Sequence, residues 1–210
     1  INMSFCTYNK ATAEEVAIKA ANEANIICVA AAGNDNTSNK AYPASLDTTL
    51  SISAVNSKLK KAYYSNYGSG ITFAAPGDDI KSINGYMSGT SMAAPHATSA
   101  VAILKSYNKN LRIENVIELL KRYAIDLGDE GYDEYYGYGL INFNGAEFYD
   151  GSDGDEFNVF KKKSDKEETK PRIEPADEIY TPIYNYGNIT NLMNAKFDVY
   201  YTEDDYSTIK

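Results

Sequence analysis

The chain has 210 residues, 43% of them hydrophobic, which is enough for one packed core and a small appendage. Its net charge of -9 argues against a nucleic-acid partner, because binding polyphosphate needs a basic stripe and the lysine run Lys161-Lys162-Lys163 is followed at once by acidic residues. Two cysteines cannot build a disulfide scaffold and have no CxxC spacing for zinc, and the apolar run Ala24 to Ala32 falls far short of the ~20 residues that span a bilayer.

In chain order, Ile1-Asn2-Met3-Ser4 opens on an apolar segment that reads as a core strand. Ala11 to Glu23 has helical spacing in Val16, Ala17, Ala20 and Ala24, and Thr12 followed by Glu15 predicts a capping box at its start. Ile26 to Ala31 follows as a buried parallel strand, in which Cys28 packs as a small hydrophobe. Leu50 to Val55 is the next strand, and Ile71 to Ala75 another, ended by Pro76-Gly77. A helix is expected from Ser91 onward through Ala93, Ala94, Ala97, Ala100, Val101 and Leu104, with Pro95 tolerated in or near its first turn. Between Arg112 and Tyr123, apolar Ile113, Val116, Ile117 and Leu120 recur at i, i+3, i+4 and i+7, the pattern of an amphipathic surface helix. The alternation predicts an α/β domain with a mostly parallel sheet over residues 1–149. Residues 150–178 carry a charged, Gly- and Pro-containing linker signature, and the tyrosine-rich residues 179–210 read as a small β-rich or partly ordered appendage, cut short at its end.

The chemistry concentrates in Ser88-Gly89-Thr90-Ser91-Met92-Ala93-Ala94-Pro95-His96. A glycine turn followed by a helix start holds Ser91 clear of its own backbone, which a serine nucleophile needs in order to reach a carbonyl carbon. Unpaired amides and the positive end of the helix dipole would face an oxyanion forming beside it. Gly89-Thr90-Ser91-Met92-Ala93-Ala94-Pro95-His96 resembles the serine motif of the subtilisin-like proteases. The resemblance extends to Ala30-Ala31-Ala32-Gly33-Asn34, to Ile1-Asn2-Met3-Ser4 and to Gly137-Tyr138-Gly139-Leu140-Ile141-Asn142, in the same order and spacing. It implies a three-layer subtilisin-like fold, here a partial domain.

On that resemblance Ser91 is the nucleophile and the Asn34 side chain an oxyanion donor, acting with the Ser91 backbone amide. Ser4, Phe5 and Cys6 would lie against an extended polypeptide substrate by strand addition, and Ala31, Ala32 and Gly33 would form one wall of the primary pocket. Asp35 stands at the rim of that pocket, and Tyr42-Pro43 is expected as a cis peptide. The triad order is aspartate, histidine, serine, an order for which subtilisin itself is the standard example, and only the serine third is present. The one histidine, His96, follows Ser91 by five residues on the same helix and is turned away from it, so it is expected to pack and not to act as base. The chain therefore reads as the C-terminal part of a catalytic domain whose base and aspartate lie upstream of Ile1, making that upstream half a partner and this piece alone inactive.

No cofactor is expected within this piece. Calcium belongs, if anywhere, to the complete domain, because the position before Ala74-Ala75-Pro76-Gly77 where a weak-site aspartate would stand holds Thr72; Asp150 to Glu156 is a second source of oxygen ligands only if it folds into a loop. Family resemblance favours a secreted or cell-surface address. Two other classes stay open: a catalytically inactive subtilase-like binding or chaperone protein, and a plain α/β binding domain.

Overall fold

The computed structural model describes residues 1–83, 85–148 and 159–160. The linker expected at 150–178 and the appendage expected at 179–210 lie outside the described residues, apart from Val159 and Phe160. Four strands, β1 (Asn2–Met3), β2 (Cys28–Ala31), β3 (Thr49–Val55) and β4 (Phe73–Pro76), form one parallel sheet in the order β1-β2-β3-β4. All seven residues of β3 are buried, which is why its sequence reads as a run of small and apolar residues and not as an alternation.

Helix α1 (Thr12–Glu23) crosses from β1 to β2. It seats Ile18 on Met3, Cys28, Ala30, Ala44 and Leu46, with Ala21 and Tyr42 packed at the edge. Two expectations fail here. Val16, Ala17, Ala20 and Ala24 lie on the outward face, Val16 being 62% exposed. An alanine-rich helix offers more than one apolar stripe, and the single large inward residue, Ile18, sets the phase. The capping box is also absent: the N-cap is Ala11, Thr12 is already helical, and Glu15 pairs instead with Lys10 at 2.8 Å.

Helix α2 (Thr90–Tyr107) lies across all four strands. Because side chains alternate along a strand, the face of β2 bearing Cys28 and Ala30 meets α1 and the opposite face meets α2, giving three layers. Ala93, Ala94, Ala97, Ala100, Val101 and Leu104 are buried in that contact, small side chains allowing the helix to sit close. A short antiparallel hairpin, β5 (Ile80–Ser82) with β6 (Gly85–Met87), precedes α2 and was not anticipated. Its signal is weak because most of it is exposed, so it lacks the half-buried alternation that marks a strand. Helix α3 (Ile113–Tyr123) buries Ile113, Val116, Leu119 and Leu120, close to the expected stripe. Phe73 and Ala74 of β4 are then bridged to Gly137 and Leu140, so the segment expected to close the domain lies along the sheet.

Candidate active site

Ser91 occupies the second position of α2, one residue later than expected, because the helix begins at Thr90. Its hydroxyl donates to the Ser4 carbonyl at 3.1 Å, and the Ser4 hydroxyl donates back to the Ser91 carbonyl at 2.8 Å. Pro95 explains the second bond. It lies beyond the first turn and has no N–H, so the carbonyl four residues earlier, that of Ser91, loses its helical donor and Ser4 supplies another. A helix-breaking residue and a side chain from the segment after β1 are thus two halves of one contact.

Asn34 follows the carboxyl end of β2. Its Oδ1 accepts from the Thr90 backbone N–H at 2.8 Å and from the Thr90 hydroxyl at 2.9 Å. A backbone N–H can meet only an acceptor, so the amide orientation is fixed, and Nδ2 is turned away from the pair with no acceptor among the described residues. The Thr90 hydroxyl also accepts from Gly33 N–H at 3.1 Å, and Thr90 is fully buried. Sequence reasoning missed Thr90, although it lies inside the motif between Gly89 and Ser91; a buried hydroxyl with both a donor and an acceptor to satisfy was the available signal.

The loop carrying Asn34 is held from below by Asn66, 2% exposed. Asn66 Oδ1 accepts from Asp35 N–H at 2.9 Å and Thr37 N–H at 3.2 Å, while Nδ2 donates to the Ala32 carbonyl at 3.0 Å and the Tyr8 hydroxyl at 3.0 Å. Gly33 makes this possible: its φ is +106°, and a Cβ there would lie 2.3 Å from Asn66 Nδ2. Tyr8 in turn donates to Asp35 Oδ2 at 2.5 Å. Gly77 has a similar function before the helix, since a Cβ would meet Ala54 Cβ at 2.6 Å and the Gly89 carbonyl at 2.8 Å. Its own carbonyl accepts from Gly89 N–H and from the Tyr64 hydroxyl, whose pKa burial pushes well up.

The structure therefore brings Ser4, Gly33, Asn34 and Ser91 to one place, the carboxyl end of β1 and β2 against the start of α2. Phe5 and Cys6 are exposed beside them, whereas Ala31 and Ala32, expected as a pocket wall, are 2% and 4% exposed, and the Ala32 N–H and carbonyl are engaged by the Ile52 carbonyl and Asn66 Nδ2. Burial and the Asp35 carboxylate raise the pKa of the Cys6 thiol, and both cysteines are free. His96 is half-buried, with Nδ1 2.8 Å from the Met92 carbonyl; that carbonyl can only accept, so Nδ1 carries the proton and the ring is engaged within its own helix. Tyr42-Pro43 is cis. At Thr72 the hydroxyl accepts from Ser51 N–H and the carbonyl from Tyr138 N–H, so that position offers no carboxylate. No group of three or more His, Cys, Asp or Glu side chains suited to a metal occurs among the described residues. Nor is any helix among them long and apolar enough to cross a membrane.

Comparison with known proteins bears on the family and the fold. Residues 1–139 match the model of the subtilase family. The minor extracellular protease Epr of Bacillus subtilis is 36% identical over 149 residues, covering 68% of this chain and 23% of that protein. Subtilisin DY of Bacillus licheniformis is 37% identical over 155 residues, covering 70% of this chain and 56% of the relative. The chain thus spans about a quarter to just over half the length of these relatives. Among solved structures, a protease of Pseudoalteromonas arctica superposes with a TM-score of 0.60 at 28% identity, over 68% of this chain and 48% of the other. The psychrophilic subtilisin-like protease Apa1 of an Antarctic Pseudoalteromonas gives 0.62 at 18% identity, over 67% of each chain, a likeness of fold alone. With the parallel sheet in place and residues 1–139 matching the family model, the chain belongs to the subtilase family.

Proposed function

We propose that this chain is the nucleophile-bearing part of a serine-type endopeptidase of the subtilisin type. Ser91 Oγ attacks the scissile carbonyl of a polypeptide, and Asn34 Nδ2 with the Ser91 N–H stabilises the oxyanion. The histidine that takes the serine proton, and the aspartate that orients it, are supplied by the upstream half of the same domain. The observation that carries the reading is the locking of Asn34 Oδ1 by Thr90, which leaves Nδ2 as a donor fixed before any substrate arrives. Donors fixed in advance need no reorganisation when charge develops, which is why they accelerate the chemical step. The substrate lies extended along Ser4, Phe5 and Cys6.

The need for an upstream half is supported by what β1 and α1 leave uncovered. β1 pairs on one side only among the described residues, and Ile1, Phe5, Val16 and Ile26 are exposed around it. The relatives named as an extracellular protease and, in a further Bacillus subtilis protein 42% identical over 114 residues, as a cell wall-associated protease support a secreted or surface address.

The test is hydrolysis of an unfolded polypeptide by the full-length protein carrying this chain. Ser91→Ala is expected to reduce turnover on the order of 10⁶-fold, a size known for the nucleophile of subtilisin and not obtained from this geometry. Turnover that survives Ser91→Ala would overturn the reading.

A further inference from the structure

We infer that Asn66 is a positioning residue for the oxyanion donor Asn34, an inference that rests on the functional reading above. A neutral carboxamide has two acceptor lone pairs and two donor hydrogens, and Asn66 spends all four on this one corner of the molecule: Asp35 N–H, Thr37 N–H, the Ala32 carbonyl and the Tyr8 hydroxyl. The backbone adds a fifth bond, from Asn66 N–H to the Gly33 carbonyl at 2.9 Å. Residues 32, 33, 35 and 37 are thus each held by Asn66; of the two between them that it does not hold, Asn36 donates its N–H to the Tyr64 carbonyl, and Asn34 has its side chain fixed from the other side by Thr90. Asn66 sets where the Asn34 backbone lies, and Thr90 sets which way its amide turns.

No other side chain of similar size fits this place. A carboxylate keeps the two acceptor bonds but cannot donate to the Ala32 carbonyl, and it adds a charge near Asp35. An apolar residue loses four bonds and leaves two backbone N–H groups without acceptors. The lack of a Cβ at Gly33 is the complementary part of the arrangement, since Asn66 Nδ2 occupies the space that Cβ would take.

The effect is expected in the chemical step. A donor displaced by a fraction of an ångström still allows the peptide to bind along Ser4 to Cys6, but it meets the oxyanion poorly. In the full-length protein, Asn66→Ala is expected to lower kcat on the order of 10- to 100-fold with KM within about threefold. Rates are referred to the fraction of Ser91 that reacts with an organophosphonate, so misfolded protein does not count. Asn66→Asp supplies a second readout. Its carboxyl regains a donor when protonated, so the ratio of its kcat per reactive Ser91 to that of wild type is expected to rise as pH falls, the normalisation removing the pH-dependent stability that a buried carboxylate brings. Unchanged kcat per reactive serine in Asn66→Ala, or a pH-independent ratio for Asn66→Asp, overturns the assignment. A wild-type protein that neither reacts at Ser91 nor cleaves peptide overturns the functional reading, and this inference with it.

Discussion

Two polar loops flank the same sheet, and they treat buried polarity in opposite ways. The loop that carries Asn34 is anchored by a neutral amide, Asn66, whose donors and acceptors are all matched. The loop from Asp126 to Gly137 is anchored by carboxylates. Asp133 Oδ1 accepts from Tyr135 N–H at 2.6 Å and Tyr136 N–H at 2.9 Å, and Asp126 Oδ2 accepts from Gly131 N–H at 2.9 Å, yet the second oxygen of each is buried without a partner. Both anchors close a turn by accepting backbone N–H groups. An amide can also donate to the carbonyls that surround it, whereas an ionised carboxylate cannot, so its other oxygen loses water and gains nothing. Burial accordingly pushes the Asp133 carboxyl above the usual aspartate range, with Asp129 and Asp126 adding to the rise. The first loop is built for fixed geometry, the second for closure at a cost that depends on pH.

Substitutions should separate the two. In the full-length protein, Asn34→Ala is expected to lower kcat by about 10² to 10³ with little change in KM, the range known for the corresponding donor in subtilisin and not obtained from these distances. A loss confined to KM would make Asn34 a ground-state contact. In the second loop the sign reverses. Asp133→Asn keeps the acceptor for Tyr135 and Tyr136 and removes the desolvated charge, so it is expected to stabilise the fold at neutral pH. The folded pKa of Asp133 lies above its unfolded value, so the folded state holds the proton more tightly, and wild-type stability is highest below the unfolded pKa. It declines as pH rises through the ordinary carboxylate range and on through the raised folded value. Denaturant melts of wild type and Asp133→Asn are therefore expected to diverge as pH rises from about 3.5, near the ordinary aspartate pKa, toward neutrality. A difference independent of pH would mean that the orphaned oxygen carries no ionisation penalty.

What could be read in the sequence followed the same division. Strands β2 to β4 and helices α2 and α3 were legible because buried parallel strands and apolar helix stripes leave dense, periodic signals. The candidate site offered a sequence signal where it is local: Ser91 and Asn34 both stand in short Gly-containing motifs. Thr90, Asn66 and Tyr8 were not found, because their role depends on contacts 34 to 58 residues apart in sequence, between Asn34 and Thr90, Asn66 and Tyr8, or Asn66 and Ala32, and a lone asparagine or tyrosine carries no periodic mark. The phase of α1 was misread for a related reason. Helical spacing alone could not say which of its apolar stripes would meet Met3 and Cys28, and only the packing of Ile18 decides it.

The central claim is that Ser91 is a nucleophile whose base lies outside these residues. Treatment of the full-length protein and of the isolated 210-residue chain with an organophosphonate, followed by peptide mass mapping, tests it most directly. Stoichiometric modification of Ser91 in the full-length protein and none in the isolated chain is the expected result. Rapid modification of Ser91 in the isolated chain, or modification of a different serine in the full-length protein, would contradict the account.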